Sequence, residues 1–239
     1  MIKTARRSWL LVSMAKPDAV ARAAQSGADA VVLDWVELVA AKDQPAAREK
    51  VRAAVTAVQM GGAAVFVQTT PATYEADLRA CVWPGLSGIV LSRAESAAQM
   101  KNVDACLSLL EKERGLTQGV IEVVAALETA RGNQDAYDII TASPRVRGVT
   151  LGRADLAMDL RPEPAGDLHL MPYLMERLII IARAAGVTPL GAWWRAPDRG
   201  LLATPENTLQ AAMRGRAVGF KGALCVRADQ VESLNQAYA

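Results

Sequence analysis

The sequence is poor in the residues from which most metal centres, disulfide frameworks and nucleophilic triads are built. It has one histidine and three cysteines in 239 residues. The spacing of Cys81, Cys106 and Cys225 matches no metal motif, and an odd number of cysteines favours reduced thiols in a cytoplasmic protein. The single histidine, His169, argues against a Ser-His-Asp triad, and no Gly-x-Ser-x-Gly sequence is present.

Long apolar runs and clusters of one charge are also missing. No apolar stretch approaches the ~20 residues of a membrane-spanning helix, and the one behind Lys3, Arg6 and Arg7 is too short for a signal peptide. The net charge is only +2, without a basic run, so no nucleic-acid or membrane partner is expected. Neither a Gly-x-Gly-x-x-Gly sequence nor a phosphate-binding loop follows the first apolar run, which argues against a nucleotide-binding sheet.

What the sequence does contain is eight short apolar runs, most of them followed by an amphipathic stretch. The runs are continuous rather than alternating, which predicts strands that are covered on both faces, as parallel strands are. Eight β-α repeats without a linker predict an α/β fold, a single (β/α)8 TIM barrel domain over residues 1–239. The predicted strands are 8–12, 28–34, 63–69, 86–93, 120–128, 146–152, 189–194 and 221–227, and the clearest helices are 17–26, 44–58, 96–112 and 168–185.

Polar residues follow several of these strands, at the end of a barrel where chemistry occurs. Glu128 and Asp155 follow neighbouring strands, which lie about 4.8 Å apart. Two carboxylates at this spacing suit Mg²⁺, which completes its coordination with water and substrate oxygens. The alternative is that both acids are solvated or pair with a nearby arginine. The other polar residues at the predicted rim are Asp34, Glu37, Gln68, Thr69, Arg93, Arg153, Arg195 and Arg227.

Four arginines surround the same predicted mouth, namely Arg93, Arg153, Arg195 and Arg227. Clustered on a concave rim, they would attract a carboxylate or a phosphate through bidentate hydrogen bonds. The alternative is that each pairs with a nearby acid on an ordinary polar surface.

Ordered blocks over most of the chain resemble the citrate lyase beta subunit and its relatives in the HpcH/HpaI aldolase superfamily. The strongest block is LETARG at 127–132, and SPRVRGVTLGRADL at 143–156 follows it. SGADAVVLD at 26–34, GIVLSRAESAAQM at 88–100 and GFKGALCVRADQVESLNQAY at 219–238 complete the resemblance. It implies a (β/α)8 barrel of the phosphoenolpyruvate/pyruvate superfamily type, assembled as a homo-oligomer, a trimer or a hexamer.

The resemblance also implies a chemistry. Family members cleave or form carbon–carbon bonds between a 2-keto acid and a thioester enolate, commonly that of acetyl-coenzyme A. The family's Mg²⁺ ligands correspond to Glu128 and Asp155. The backbone amides around Arg153 and Ala154 would hold the carboxylate of the keto acid.

Further candidate site residues come from the predicted rim of the barrel. Gln68 would contact the substrate, and Arg93, together with Arg195 or Arg227, would neutralise its remaining negative charge. Glu37 is the nearest candidate for the general base.

The sequence departs from the family's pattern at the predicted site. Phe66 occupies the position of a family arginine that grips the substrate carboxylate, and relatives usually continue beyond the position of Ala239 into a helical lid. Two alternatives therefore stand beside the carbon–carbon lyase. One is a catalytically impaired paralogue that acts as a binding or partner subunit, and the other is a pyruvate or glyoxylate aldolase that works without coenzyme A.

Overall fold

The computed structural model describes a closed barrel of parallel strands surrounded by helices. The described residues are 6–36, 38–152, 156, 159–160, 171–192 and 204–239. Eight strands lie in sequence order around the barrel, and the last pairs with the first. The predicted (β/α)8 barrel is therefore confirmed, and each predicted run overlaps one strand. The strands are β1 Ser8–Ser13, β2 Ala30–Asp34, β3 Ala64–Thr69, β4 Gly88–Leu91, β5 Glu122–Leu127, β6 Val146–Leu151, β7 Thr188–Ala192 and β8 Gly222–Cys225.

Helices alternate with the strands and pack against their outer faces. Proline lies in the first turn of three of them, where its missing N–H has no helical partner to lose. The helix that follows β4 begins with a capping box, in which Ser96 and Gln99 each bind the other's backbone N–H. In the described residues the helices are α1 Pro17–Ala24, α2 Gln44–Met60, α3 Tyr74–Cys81, α4 Ala97–Glu113, α5 Ala130–Gln134, α6 Ala136–Thr141, α7 Met171–Ala185, α8 Pro205–Val218 and α9 Val231–Ala237. None of them is both long enough and apolar enough to cross a lipid bilayer.

The alternation of side chains along each strand divides the core into two parts. On β5, Val123, Ala125 and Leu127 belong to the layer between the strands and the helices. Val124 and Ala126 belong to a second cluster, which fills the inside of the barrel. Because side chains alternate with a period of two, Glu128 continues the inward-facing set at the C-terminal end of this strand.

The opposite, N-terminal end of the barrel is filled by two rings and an ion pair. The rings of Trp9 and Phe66 lie 4.6 Å apart, centroid to centroid. The Arg6 guanidinium lies 5.0 Å from the Phe66 ring centroid and binds the Glu122 carboxylate at 2.7 Å. Phe66 therefore helps to close the floor of the barrel.

Candidate functional site

Glu128 is the central described carboxylate at the C-terminal mouth. Its side chain is buried, and its Oε2 accepts a hydrogen bond from the backbone N–H of Arg93 at 2.8 Å. On the other side it lies against Gly152, at the end of β6, where an added Cβ would come within 2.3 Å of the Glu128 Cγ. Any side chain at position 152 would displace Glu128, so the glycine is what allows the carboxylate to lie there.

The turn after β5 holds Glu128 in position. Thr129 caps α5 by accepting the N–H of Gly132 at 3.1 Å, and the Asn133 side chain donates to the Thr129 carbonyl at 2.9 Å. Gly132 packs closely on the turn after β4, because a Cβ there would lie 2.3 Å from the carbonyl oxygen of Ala94. The capping hydrogen bonds and this close packing fix the β5 turn against the β4 turn.

Arg93 and Gln68 lie on the same side of the mouth as Glu128. The Arg93 side chain is exposed, while its backbone has a φ of 51°, a conformation that residues other than glycine rarely adopt. The buried Gln68 amide donates a hydrogen bond to Ser92 Oγ at 2.8 Å. The structure thus brings the predicted residues Gln68, Arg93 and Glu128 together along the ends of β3, β4 and β5.

Arg227, at the end of β8, is exposed and forms an ion pair with Asp229 two residues later. This hydrogen-bonded pair raises the pKa of Arg227 above its ordinary value. The other predicted site residues, Glu37, Arg153, Ala154, Asp155 and Arg195, lie outside the described residues. Within the described residues there is no group of three histidine, cysteine, aspartate or glutamate side chains that would hold a metal by themselves.

Two residues predicted at the rim stabilise loops. The Thr69 hydroxyl donates to Asp77 Oδ2 at 2.6 Å, in the layer between strands and helices. Asp34 accepts the backbone N–H groups of Val36 and Leu38 and so supports the loop after β2. Thr69 follows the inward-facing Gln68 directly, so its side chain takes the outward position.

Ser92 and Gly152 complete the surroundings of the site and were not singled out from the sequence. Both lie at the inward-facing positions that follow β4 and β6. A continuous apolar run does not show which alternate residues face inward, because both faces of such a strand are buried. The available signal was the alternation of side chains along a strand. Once one inward-facing residue of a strand is known, the residues two positions away are expected to face inward as well.

The chain is a (β/α)8 TIM-barrel protein, with a buried carboxylate at the C-terminal mouth of the barrel. The sequence profile of the HpcH/HpaI aldolase/citrate lyase family matches residues 7–228. The chain is a member of this family.

Individual relatives agree with this assignment. The citrate lyase subunit beta of Leuconostoc mesenteroides subsp. cremoris is 28% identical over 238 residues, which cover 98% of this chain and 77% of the relative. A (3S)-malyl-CoA thioesterase of Cereibacter sphaeroides is 27% identical, with the same two coverages of 98% and 77%. Among solved structures, a citrate lyase beta subunit from M. tuberculosis, complexed with oxaloacetate and magnesium, shares the fold with a TM-score of 0.72 at 24% identity. That alignment covers 98% of this chain and 97% of the solved one.

Proposed function

We propose that the protein is a Mg²⁺-dependent carbon–carbon lyase that acts on a 2-keto acid or an acyl-coenzyme A-derived substrate. The observation that carries the proposal is the placement of Glu128. Its carboxylate is buried at the catalytic end of the barrel, between the Arg93 backbone and Gly152. Carboxylate oxygens are the ligands that Mg²⁺ prefers in proteins, and a carboxylate fixed in this position by a backbone hydrogen bond could hold the ion at the mouth of the barrel.

The ligand chemistry of the described residues fits magnesium. Mg²⁺ binds carboxylate oxygens, keeps several water ligands and requires only one or two protein carboxylates. Glu128 is one such ligand, and Asp155, three residues after Gly152 in the sequence, is the proposed second. The backbone N–H of Leu156, the next described residue, donates to the Gly152 carbonyl at 2.9 Å, so Leu156 lies close to the end of β6.

The relatives support this choice of ligand and reaction. A solved barrel of the same fold is complexed with oxaloacetate and magnesium. Curated relatives are named as a citrate lyase subunit and as a malyl-CoA thioesterase. A keto acid, a coenzyme A thioester and Mg²⁺ are therefore the ligands to test.

Glu128 and Asp155 would hold the metal, and a Mg²⁺ bound there would polarise the keto or hydroxyl oxygen of the substrate. The backbone amides near Arg153 and Ala154 hold the keto-acid carboxylate. Arg93, with Arg195 or Arg227, stabilises the negative charge that develops on the enolate.

Two residues have supporting roles in the same site. Gln68 would contact the substrate from β3, where its amide is already held by Ser92. Glu37 is proposed as the general base, which would take a proton from the substrate.

The Glu128→Gln substitution should remove the charge of the proposed metal ligand while keeping its hydrogen bond. The amide keeps an oxygen that accepts the Arg93 N–H but loses the charge that binds Mg²⁺. Calorimetry with Mg²⁺ and oxaloacetate or pyruvate should therefore show binding by the wild type and none by the variant, while the melting temperature without metal stays nearly the same. Glu113→Gln is the matched control, because Glu113 is exposed at the opposite end of α4, and this variant should bind like the wild type.

The same experiment separates the alternatives. If the wild type binds keto acid, added acetyl-coenzyme A should tighten that binding in a thioester lyase and leave it unchanged in an aldolase that works without coenzyme A. Absence of heat from the wild type with either keto acid at millimolar concentration would reject both enzymes. That result would favour the catalytically impaired paralogue, for which the phenylalanine at position 66 is the supporting observation.

A further inference from the structure

Only one of the inward-facing residues of β6 has a side chain larger than a hydrogen atom. Val149 and Leu151 belong to the layer between strands and helices, so the inward-facing positions are Gly148, Thr150 and Gly152. Thr150 is therefore the only residue of this strand that presents a functional group to the barrel interior.

The Thr150 hydroxyl is buried and has no partner. Thr150 is 5% exposed, and its Oγ1 is one of two buried side-chain polar atoms in the described residues that make no hydrogen bond. Its strand neighbours in register are Ala126 on β5 and Leu190 on β7, whose side chains have no polar atom. A buried hydroxyl without a hydrogen-bond partner lowers the stability of the folded protein. A ligand that forms a hydrogen bond with this hydroxyl would recover the lost free energy.

Thr150 lies one inward-facing position below Gly152, on the strand next to the one that carries Glu128. Gly152 is two residues further along β6, a distance of about 6.6 Å along the strand. Leu127 and Leu151 are paired in register, and the Glu128 side chain lies over Gly152. Because Gly152 has no side chain, no side chain of β6 separates the Glu128 carboxylate from the Thr150 hydroxyl.

The surroundings of Thr150 determine what kind of group would fit. The barrel interior contains apolar residues that include Val90, Val124 and Leu224, together with the neutral hydrogen-bonded pair of Gln68 and Ser92. Arg6, which closes the floor of the barrel, is already paired with Glu122. A second carboxylate would lack a partner of opposite charge here, whereas a neutral oxygen would gain a hydrogen bond and lose little hydration.

We infer that Thr150 binds a neutral hydroxyl or carbonyl oxygen at the end of the ligand remote from its carboxylate. This inference rests on the proposed function and specifies its substrate as a short 2-keto acid with a distal oxygen. The keto-acid group stays at the level of Glu128, and the distal end extends down to β6.

Two ligands of equal size test the inference. Hydroxypyruvate and 2-ketobutyrate differ only in a terminal hydroxyl in place of a methyl group. Calorimetry with Mg²⁺ should show that the wild type prefers hydroxypyruvate. Thr150→Val, which replaces the hydroxyl by a methyl group of similar size, should reduce that preference by about tenfold. Thr150→Ser is the matched control and should retain the preference, because it retains the hydroxyl.

Each outcome has a defined meaning. If wild-type protein binds pyruvate with Mg²⁺ but Thr150→Val changes the affinities for hydroxypyruvate and 2-ketobutyrate by the same factor, Thr150 does not contact the distal group and this inference alone is wrong. If the wild type binds no keto acid, the proposed function fails and the inference fails with it. Melting without ligand gives an independent readout. Thr150→Val should melt at or above the wild-type temperature, and a lower temperature would show that the hydroxyl already has a partner inside the protein.

Discussion

At the scale of single residues, it is the backbone of Arg93 that contacts Glu128. Its positive φ of 51° points the N–H at Glu128 Oε2. For a residue with a Cβ, this left-handed conformation costs about 1–2 kcal/mol. Arg93 therefore combines an exposed guanidinium at the mouth with a strained peptide that fixes the proposed metal ligand.

Replacing Arg93 with glycine and with alanine should separate these two contributions. Glycine relieves the strain, whereas alanine keeps it, so Arg93→Gly should be more stable than Arg93→Ala by about 1 kcal/mol in urea unfolding. Both variants lose the guanidinium, and both should bind pyruvate with Mg²⁺ about tenfold more weakly than the wild type. Greater stability of the alanine variant would contradict the role of the strained backbone.

At the scale of structural elements, a buried ionic network ties α4 to the start of β6. The Arg145 guanidinium binds both carboxylate oxygens of Glu111 at 2.7 Å and Asp104 Oδ1 at 2.5 Å. Glu111 also accepts the backbone N–H groups of Gly119 and Ile121, just before β5. A helix and the approaches to two strands are thus joined through one arginine at the end of the barrel opposite the candidate site.

This network predicts a dependence of stability on pH. Burial alone would raise the pKa of Glu111, but the hydrogen bonds from Arg145 and from the two backbone N–H groups outweigh burial and lower it below the ordinary value of 4.5. A lowered pKa stabilises the folded state above 4.5, and that stability is lost as the pH falls through the folded-state value. The free energy of unfolding of the wild type should therefore decrease below pH 4.5.

Urea unfolding of Glu111→Gln from pH 7 to pH 3 tests this expectation. The variant should be less stable than the wild type at pH 7, and the gap should narrow as the pH falls below 4.5. Glu113→Gln, an exposed glutamate on the same helix, should follow the wild-type curve. A gap that stays constant over the whole range would show that Glu111 does not carry the effect.

At the scale of the whole molecule, the barrel is closed at its N-terminal end by residues of three strands and the segment before β1. Phe66 packs on Trp9 and on the Arg6 guanidinium. Gly88 on β4 makes room for it, since a Cβ there would lie 2.4 Å from the ring of Phe66. Phe66, which the sequence resemblance aligns with a family arginine, is thus part of a packed floor in this protein.

Placing an arginine at position 66 should therefore destabilise the protein without strengthening substrate binding. Phe66→Arg would remove a fully buried ring and place a second guanidinium beside Arg6, which is itself paired with Glu122. We expect a loss of at least about 3 kcal/mol in unfolding free energy and no gain in oxaloacetate affinity. Phe66→Leu, which stays apolar, should lose less. A stable Phe66→Arg protein that binds oxaloacetate more tightly would contradict this expectation, because it would show that the packing around position 66 can accommodate an arginine.

Much of this architecture was predictable from the sequence. Parallel strands are covered on both faces, so each appears as a continuous apolar run, and all eight runs overlap a strand. The ends of the predicted helices 17–26, 44–58 and 96–112 agree with the structure to within two residues, as at α2, which ends at Met60 rather than at residue 58. Residues 168–170 of the fourth predicted helix lie outside the described residues. The exact ends of helices depend on capping contacts made after folding. Glu128 was also predictable, because a polar residue directly after a buried strand marks the catalytic end of a barrel.

The direction of individual side chains was decided only by the tertiary structure. Gln68 and Thr69 are adjacent at the end of one strand, yet Gln68 binds Ser92 inside the barrel and Thr69 binds Asp77 outside it. The unpartnered hydroxyl of Thr150 lies within an apolar run in the same way. The amino-acid sequence by itself determined that eight strands form and, to within about two residues, where each one ends. Closure of the barrel determined which alternate residues face the interior, because a strand buried on both faces has no polar side to distinguish them.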